Sequence, residues 1–159
     1  MRSDSGWDVP EPELAVVCDA HGQIAGFTIG NDVSSRSIEG ENPLYLPQAK
    51  VYRGSCALGP CIVPVGEAPA PEEMEIRLTI ARDGEAVFEG STQVALLHRM
   101  PAELVDWLFR AQEFANGVVL LTGTSIVPDK EFTLRGGDQV RIAITGLGEL
   151  VNTEEVVQA

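Results

Sequence analysis

Leu14-Ala15-Val16-Val17-Cys18 is an apolar run, Asp19-Ala20-His21-Gly22 follows it, and Ile24-Ala25-Gly26-Phe27-Thr28-Ile29 is a second run. Two runs of strand length separated by Asp and Gly turn chemistry read as a β-hairpin. The same signature recurs downstream. Ile76, Leu78 and Ile80 alternate with Arg77 and Thr79. Arg82-Asp83-Gly84-Glu85 then supplies the Asp-Gly pair of a tight turn, and Ala86–Phe88 returns. Val118–Leu121 is wholly apolar and reads as a buried strand. Val140, Ile142 and Ile144 alternate after Gly136-Gly137-Asp138, and Leu150-Val151 closes the pattern after Gly146-Leu147-Gly148. One helix is clear. Pro101 suits a first helical position, and Leu104, Val105, Leu108 and Ala111 recur at helical spacing with Trp107 alongside. Gln93–Leu97 fits neither pattern cleanly. The expected fold class is α+β and β-rich, with few helices.

Composition agrees with this reading. The chain has 159 residues, one domain's worth, with 44% hydrophobic and 22% charged residues. Its 16 Gly and 10 Pro imply many turns. Ala68–Glu73 (APAPEE) reads as a connection inside one domain, and there is no internal repeat. The 24 acids against 11 Lys and Arg give a net charge of −13. That balance argues against nucleic acid and against an anionic membrane surface as partners. No apolar run approaches the roughly 18 residues of a membrane span. The opening MRSDSGWDVPEPE is polar, unlike a signal peptide, and Cys18, Cys56 and Cys61 read as reduced thiols of a cytoplasmic protein.

Chemistry concentrates at Val9-Pro10-Glu11-Pro12-Glu13. Each proline keeps the residue before it extended. Residues i and i+2 of an extended chain share a face, so Glu11 and Glu13 project side by side, about 6–7 Å apart at Cα. Two adjacent carboxylates repel unless a cation lies between them, and a hard divalent ion suits them. Two solvated acids on an edge strand is the competing reading. Asp32 follows the strand Ile24–Ile29, and its other reading is a helix N-cap. If the two strands pair through the Asp19–Gly22 turn, Asp32 arrives beside Glu11 and Glu13. Three carboxylates then form an oxygen-only site for Mg²⁺, with Mn²⁺ or Ca²⁺ as alternatives. Lys50 lies in a stretch poor in other charge. An amine partly desolvated beside a cation is expected to have a lowered pKa and to serve as a base. Thr122-Gly123-Thr124 follows an apolar run, where a Gly lets backbone approach a ligand and a hydroxyl can hold a carboxylate. Cys18-x-x-His21 has no second ligand pair, and Gly146-x-Gly148 does not join a strand to a helix, so neither is a cofactor motif.

The ordered set Glu11-x-Glu13, Asn31-Asp32-Val33-Ser34-Ser35-Arg36, Lys50, Leu58-Gly59-Pro60 and Leu121-Thr122-Gly123-Thr124 resembles the C-terminal catalytic domain of the fumarylacetoacetate hydrolase family. The wording of residues 38–50, IEGENPLYLPQAK, looks like the branch containing 2-keto-3-deoxy-D-arabinonate dehydratase. The resemblance implies a mixed β-sheet roll, usually dimeric. It implies Glu11, Glu13 and Asp32 as metal ligands, Lys50 as the active-site lysine, and Arg36 and Thr124 as substrate-binding residues. Glu39 stands where some members carry Gln. It further implies residues 1–8 as a remnant of an upstream segment missing here, and residues 9–159 as the catalytic domain. The function so implied is a Mg²⁺-dependent lyase that dehydrates a 2-keto-3-deoxy sugar acid through a metal-bound enolate. Lys50 would serve as base, or as a cation steadying that enolate. The alternatives are a C–C hydrolase or decarboxylase of another 2-oxo acid, and a truncated, non-catalytic metal-binding domain.

Overall fold

The computed structural model describes residues 1–158. In chain order the strands and helices are β1 (Asp8–Val9), β2 (Pro12–Cys18), β3 (Ile24–Asp32), β4 (Ser34–Ser35), α1 (Arg36–Glu41), α2 (Leu46–Lys50), β5 (Cys56–Pro64), β6 (Glu75–Arg82), β7 (Glu85–Gln93), α3 (Pro101–Leu108), β8 (Val118–Leu121), β9 (Gln139–Ile144) and β10 (Gly148–Thr153). The expected sheet-rich fold with few helices is what the chain forms.

The β2–β3 hairpin is the centre of the first sheet, whose order is β5-β3-β2-β8. Its turn closes because the Asp19 carboxylate accepts from the His21 and Gln23 amides at 2.8 and 2.9 Å. This is the side-chain turn mimicry that suits Asp to such positions. The second sheet runs β10-β9-β6-β7, and β1 pairs with β4 alone. The β6–β7 turn places Asp83 and Gly84 at φ 52° and 85°, the left-handed pair that a tight hairpin demands. All pairings between strands are antiparallel, and an isolated parallel bridge joins Arg2 to Val157.

The core lies between the two sheets. Leu14, Val16, Phe27 and Ile29 from the first meet Leu78, Ile80, Val140 and Ile142 from the second. The alternation read in β6 and β9 is this inward face. Residues 1–8 pack against the body: Met1 is buried in the core, and the Ser3 amide donates to the Val157 carbonyl at 2.9 Å.

Three details depart from the sequence reading. Val118–Leu121 forms an edge strand and is half-buried rather than buried, because β2 flanks it on one side only. Cys56–Pro64 is a nine-residue strand that no alternation announced, since it is apolar on both faces. Residues 36–50 contain the short helices α1 and α2, and Gln93–Leu97 splits between the end of β7 and a 3₁₀ turn at Val94–Leu96.

Candidate metal centre

The open end of the β2–β3 hairpin brings the three predicted acids together. Pro12 pairs with Asn31 and Glu13 with Gly30, and the Asp32 amide donates to the Glu11 carbonyl at 3.0 Å. One ligand oxygen from each of Glu11, Glu13 and Asp32 lies within 4.8 Å of the others. Glu11 and Glu13 are 5% and 3% exposed, so neither is a solvated surface acid. Asp32 is not a helix N-cap. Ser35 caps α1 instead, its hydroxyl accepting from the Ile38 amide at 3.3 Å.

The helices after Asp32 turn two cations onto this group. Lys50, at the end of α2, donates to Glu11 Oε2 at 2.6 Å and lies 3.1 Å from Asp32 Oδ2. Arg36, at the start of α1, places Nη2 2.9 Å from Glu11 Oε1 and Nη1 3.1 Å from Glu39 Oε2. Glu11 therefore sits between two cations, and Asp32 shares one of them. Tyr52 steadies the approach, its hydroxyl donating to the Val33 carbonyl at 2.8 Å.

Electrostatics follow from burial and crowding. Burial pushes Glu13 up to about 7, with the Asp32 and Glu11 charges adding and the Gly123 hydrogen bond opposing. Asp32 is also raised, mainly by burial, against the pull of Lys50. Burial works to lower Lys50, but the Glu11 and Asp32 carboxylates outweigh it, and the net shift is upward. The expected lowering belongs to an amine with a cation bound beside it; without one, the carboxylates that face the amine prevail.

The residues fit a hard divalent cation. Glu11 Oε1 is buried and accepts no hydrogen bond, although Arg36 pairs with it ionically. The donor set is anionic oxygen throughout, the preference of Mg²⁺ and Ca²⁺. The like charges that add to the burial of Glu13 are countered by a divalent charge.

The remaining sequence candidates fall as follows. Thr124 is half-buried at the loop after β8, its hydroxyl engaged with the Ile126 amide and carbonyl at 3.2 and 3.3 Å. Gly123 does bring backbone close to the site, but its partner is protein: its amide donates to Glu13 Oε2 at 2.5 Å. Gly123 sits at φ 90°, which glycine adopts freely. The sequence reading missed this contact and the Arg36–Glu11 pair. The Thr-Gly-Thr signal marked the place without naming the partner. Cys18 is buried in the core, and Cys56 and Cys61 are exposed free thiols.

Known proteins match this chain along nearly all its length. The family described as fumarylacetoacetate (FAA) hydrolase C-terminal matches residues 11–155. A probable 2-keto-3-deoxyxylonate dehydratase of Haloferax volcanii is 50% identical over 157 residues, 99% of this chain and 54% of that protein. The 2-dehydro-3-deoxy-D-arabinonate dehydratase of Saccharolobus solfataricus is 47% identical over 151 residues, 95% of this chain and 51% of that protein. A solved structure of 2-keto-3-deoxy-D-arabinonate dehydratase, complexed with magnesium and 2,5-dioxopentanoate, superposes with a TM-score of 0.95 at 45% identity. That match covers 100% of this chain and 56% of the other. The chain thus spans about half the length of the curated relatives it matches. With its three carboxylates at the mouth of a two-sheet roll, and with residues 11–155 matched, the chain belongs to the fumarylacetoacetate hydrolase family.

Proposed function

We propose that the chain carries the magnesium-binding catalytic domain of a lyase that removes water from a 2-keto-3-deoxy sugar acid. The observation that carries this reading is the convergence of Glu11, Glu13 and Asp32 within 4.8 Å, with two cations turned onto them. The two dehydratases at 50% and 47% identity support the substrate class, against 30% for a human mitochondrial oxaloacetate tautomerase of the same family.

Glu11, Glu13 and Asp32 would hold the cation. Magnesium bound there supplies a Lewis acid that polarises a 2-oxo group and acidifies the adjacent C3 proton. Arg36 and Lys50 give the site positive charge that draws the substrate carboxylate. Thr124, at the loop beside Glu13, orients that carboxylate by its hydroxyl. Lys50 is held as an ammonium by Glu11 and Asp32. As an ammonium it would act as a donor that steadies negative charge growing on the C2 oxygen. A base takes the C3 proton, the C3–C4 double bond forms, and the C4 hydroxyl leaves with a proton as water.

The reading carries a cytoplasmic location, which the exposed free thiols of Cys56 and Cys61 favour. It also carries a homodimer, for which the exposed Leu58 and Ile62 on β5 offer an apolar surface. Among the described residues, no helix is long and apolar enough to cross a membrane.

The test is an assay of the purified protein with magnesium against 2-keto-3-deoxy pentonates, acylpyruvates and oxaloacetate. Magnesium-dependent water loss from the deoxy acids alone supports the reading. Cleavage of acylpyruvates or loss of CO₂ from oxaloacetate overturns it in favour of the hydrolase or decarboxylase alternative. Magnesium binding without turnover of any of them overturns it in favour of a non-catalytic metal-binding domain.

A further inference from the structure

Glu13 is tied to the end of β8 by a direct hydrogen bond from the Gly123 backbone. Leu121 is the last residue of β8 in the ladder, opposite Ala15 of β2. One step beyond, Thr122 bonds twice to the same acceptor. Its amide and its hydroxyl donate to the Leu14 carbonyl at 3.2 and 2.9 Å. The next residue, Gly123, has left the strand at φ 90° and gives its amide to Glu13 Oε2 at 2.5 Å. After it the chain is caught again by the Thr124 hydroxyl on Ile126. Nothing lies within 4 Å of the place where a Gly123 side chain would begin, so packing does not hold this residue. What holds it is hydrogen bonding on either side, with side chains contributing through the Thr122 hydroxyl before it and the Thr124 hydroxyl after it.

We propose that Thr122 is a positioning residue for the metal site: its hydroxyl anchors the β8 end to Leu14, and this seats the Gly123 amide on one oxygen of Glu13. The consequence is directional. Glu13 Oε2 accepts the backbone donor, and this fixes which way the carboxylate faces beside Glu11 and Asp32. A carboxylate fixed in this way is preorganised and loses less side-chain freedom on binding. Thr122 itself touches neither the cation nor the substrate. The inference rests on the metal-site reading proposed above, and its test separates the two.

The experiment compares Thr122→Ser, Thr122→Val and Thr122→Ala with the parent. Val keeps the shape and loses the donor, Ala covers the case where Val packs badly, and Ser keeps the hydroxyl. Two quantities are read: hydrogen exchange of the Gly123 amide without added metal, and the dissociation constant for magnesium by calorimetry. We expect Gly123 exchange to rise about tenfold in the Val and Ala variants and magnesium binding to weaken by a similar factor. The Ser variant should stay within about twofold of the parent in both. Unchanged Gly123 exchange in the Val and Ala variants overturns the proposal. So does a Ser variant as impaired as Val, which reduces Thr122 to a packing role. If the parent binds no magnesium, the metal-site reading fails, while the Gly123 exchange series still decides what Thr122 does.

Discussion

The Lys50 ammonium and the Glu11 carboxylate meet at 2.6 Å, although 39 residues separate them in the chain. Glu11 comes from the start of the central hairpin and Lys50 from the end of a short helix. With Asp32 at 3.1 Å, the amine bridges two of the three proposed ligands. Replacing Lys50 by Met leaves those carboxylates to repel each other. We expect the metal-free protein to lose roughly 1–3 kcal/mol of stability, the cost of orphaning a buried charge. Magnesium should then stabilise the variant by more than it stabilises the parent, while turnover falls at least about a hundredfold. Thermal melts with EDTA and with magnesium, beside a dehydration assay, check both statements. Turnover at the parent's rate removes Lys50 from the mechanism.

Glu13 gives the site a pH dependence of definite sign. Burial first, then Asp32 and Glu11, raise it to about 7 in the folded chain, above the usual 4.3 or so of a free glutamate. Between those values the folded state holds a proton that the unfolded state has released. Without metal, stability is therefore greatest at the acid end of that window and falls as pH rises through about 7. In the limit the loss is roughly 4 kcal/mol. Magnesium must displace the same proton. Its dissociation constant should rise about tenfold per unit of pH below 7 and level off above it. Calorimetric titrations at pH 5.5, 6.5 and 7.5 read this directly. A flat profile contradicts the upward shift of Glu13.

A second ion pair serves the fold and not the site. Asp138 is 1% exposed and takes two hydrogen bonds from Arg82, at 2.8 and 2.7 Å, with a third from the Arg135 amide at 2.8 Å. Burial raises its pKa, and these donors outweigh burial and bring it below the usual carboxylate range. Arg82→Met strands the carboxylate and should cost about 3 kcal/mol, near 10 °C in Tm. The Asp138 contribution is present above its unfolded pKa and is lost as pH falls through the folded one, so the variant should also lose its resistance to acid. The magnesium-dependent rise in Tm should survive, because neither residue touches the three-carboxylate group.

Much of this was legible in residues 11–32. Prolines on both sides of Glu11 fix an extended chain, and Asp19 and Gly22 close a hairpin. Those two facts alone carry Asp32 to the start of β2, where the structure has it. The alternation in β6 and β9 was legible for the same reason, since each has one face on the core. Cys56–Pro64 was not, because a strand apolar on both faces shows no period of two. The short helices carrying Arg36 and Lys50 were also hidden. They are six and five residues long, below the length at which helical periodicity shows. For that reason the cations were placed near the site by resemblance or composition, and their pairing with Glu11 and Asp32 came only from the fold.

Thermal unfolding with and without magnesium, in the parent and in Glu13→Ala, tests the metal centre most directly. At a hundred times the dissociation constant a bound ion adds about 2.7 kcal/mol. For a chain of this length that is roughly 5–10 °C in Tm. The parent should show that rise and Glu13→Ala should show none. A parent whose Tm does not move with magnesium, or a Glu13→Ala variant that keeps the full shift, contradicts the assignment of Glu11, Glu13 and Asp32 as the metal site.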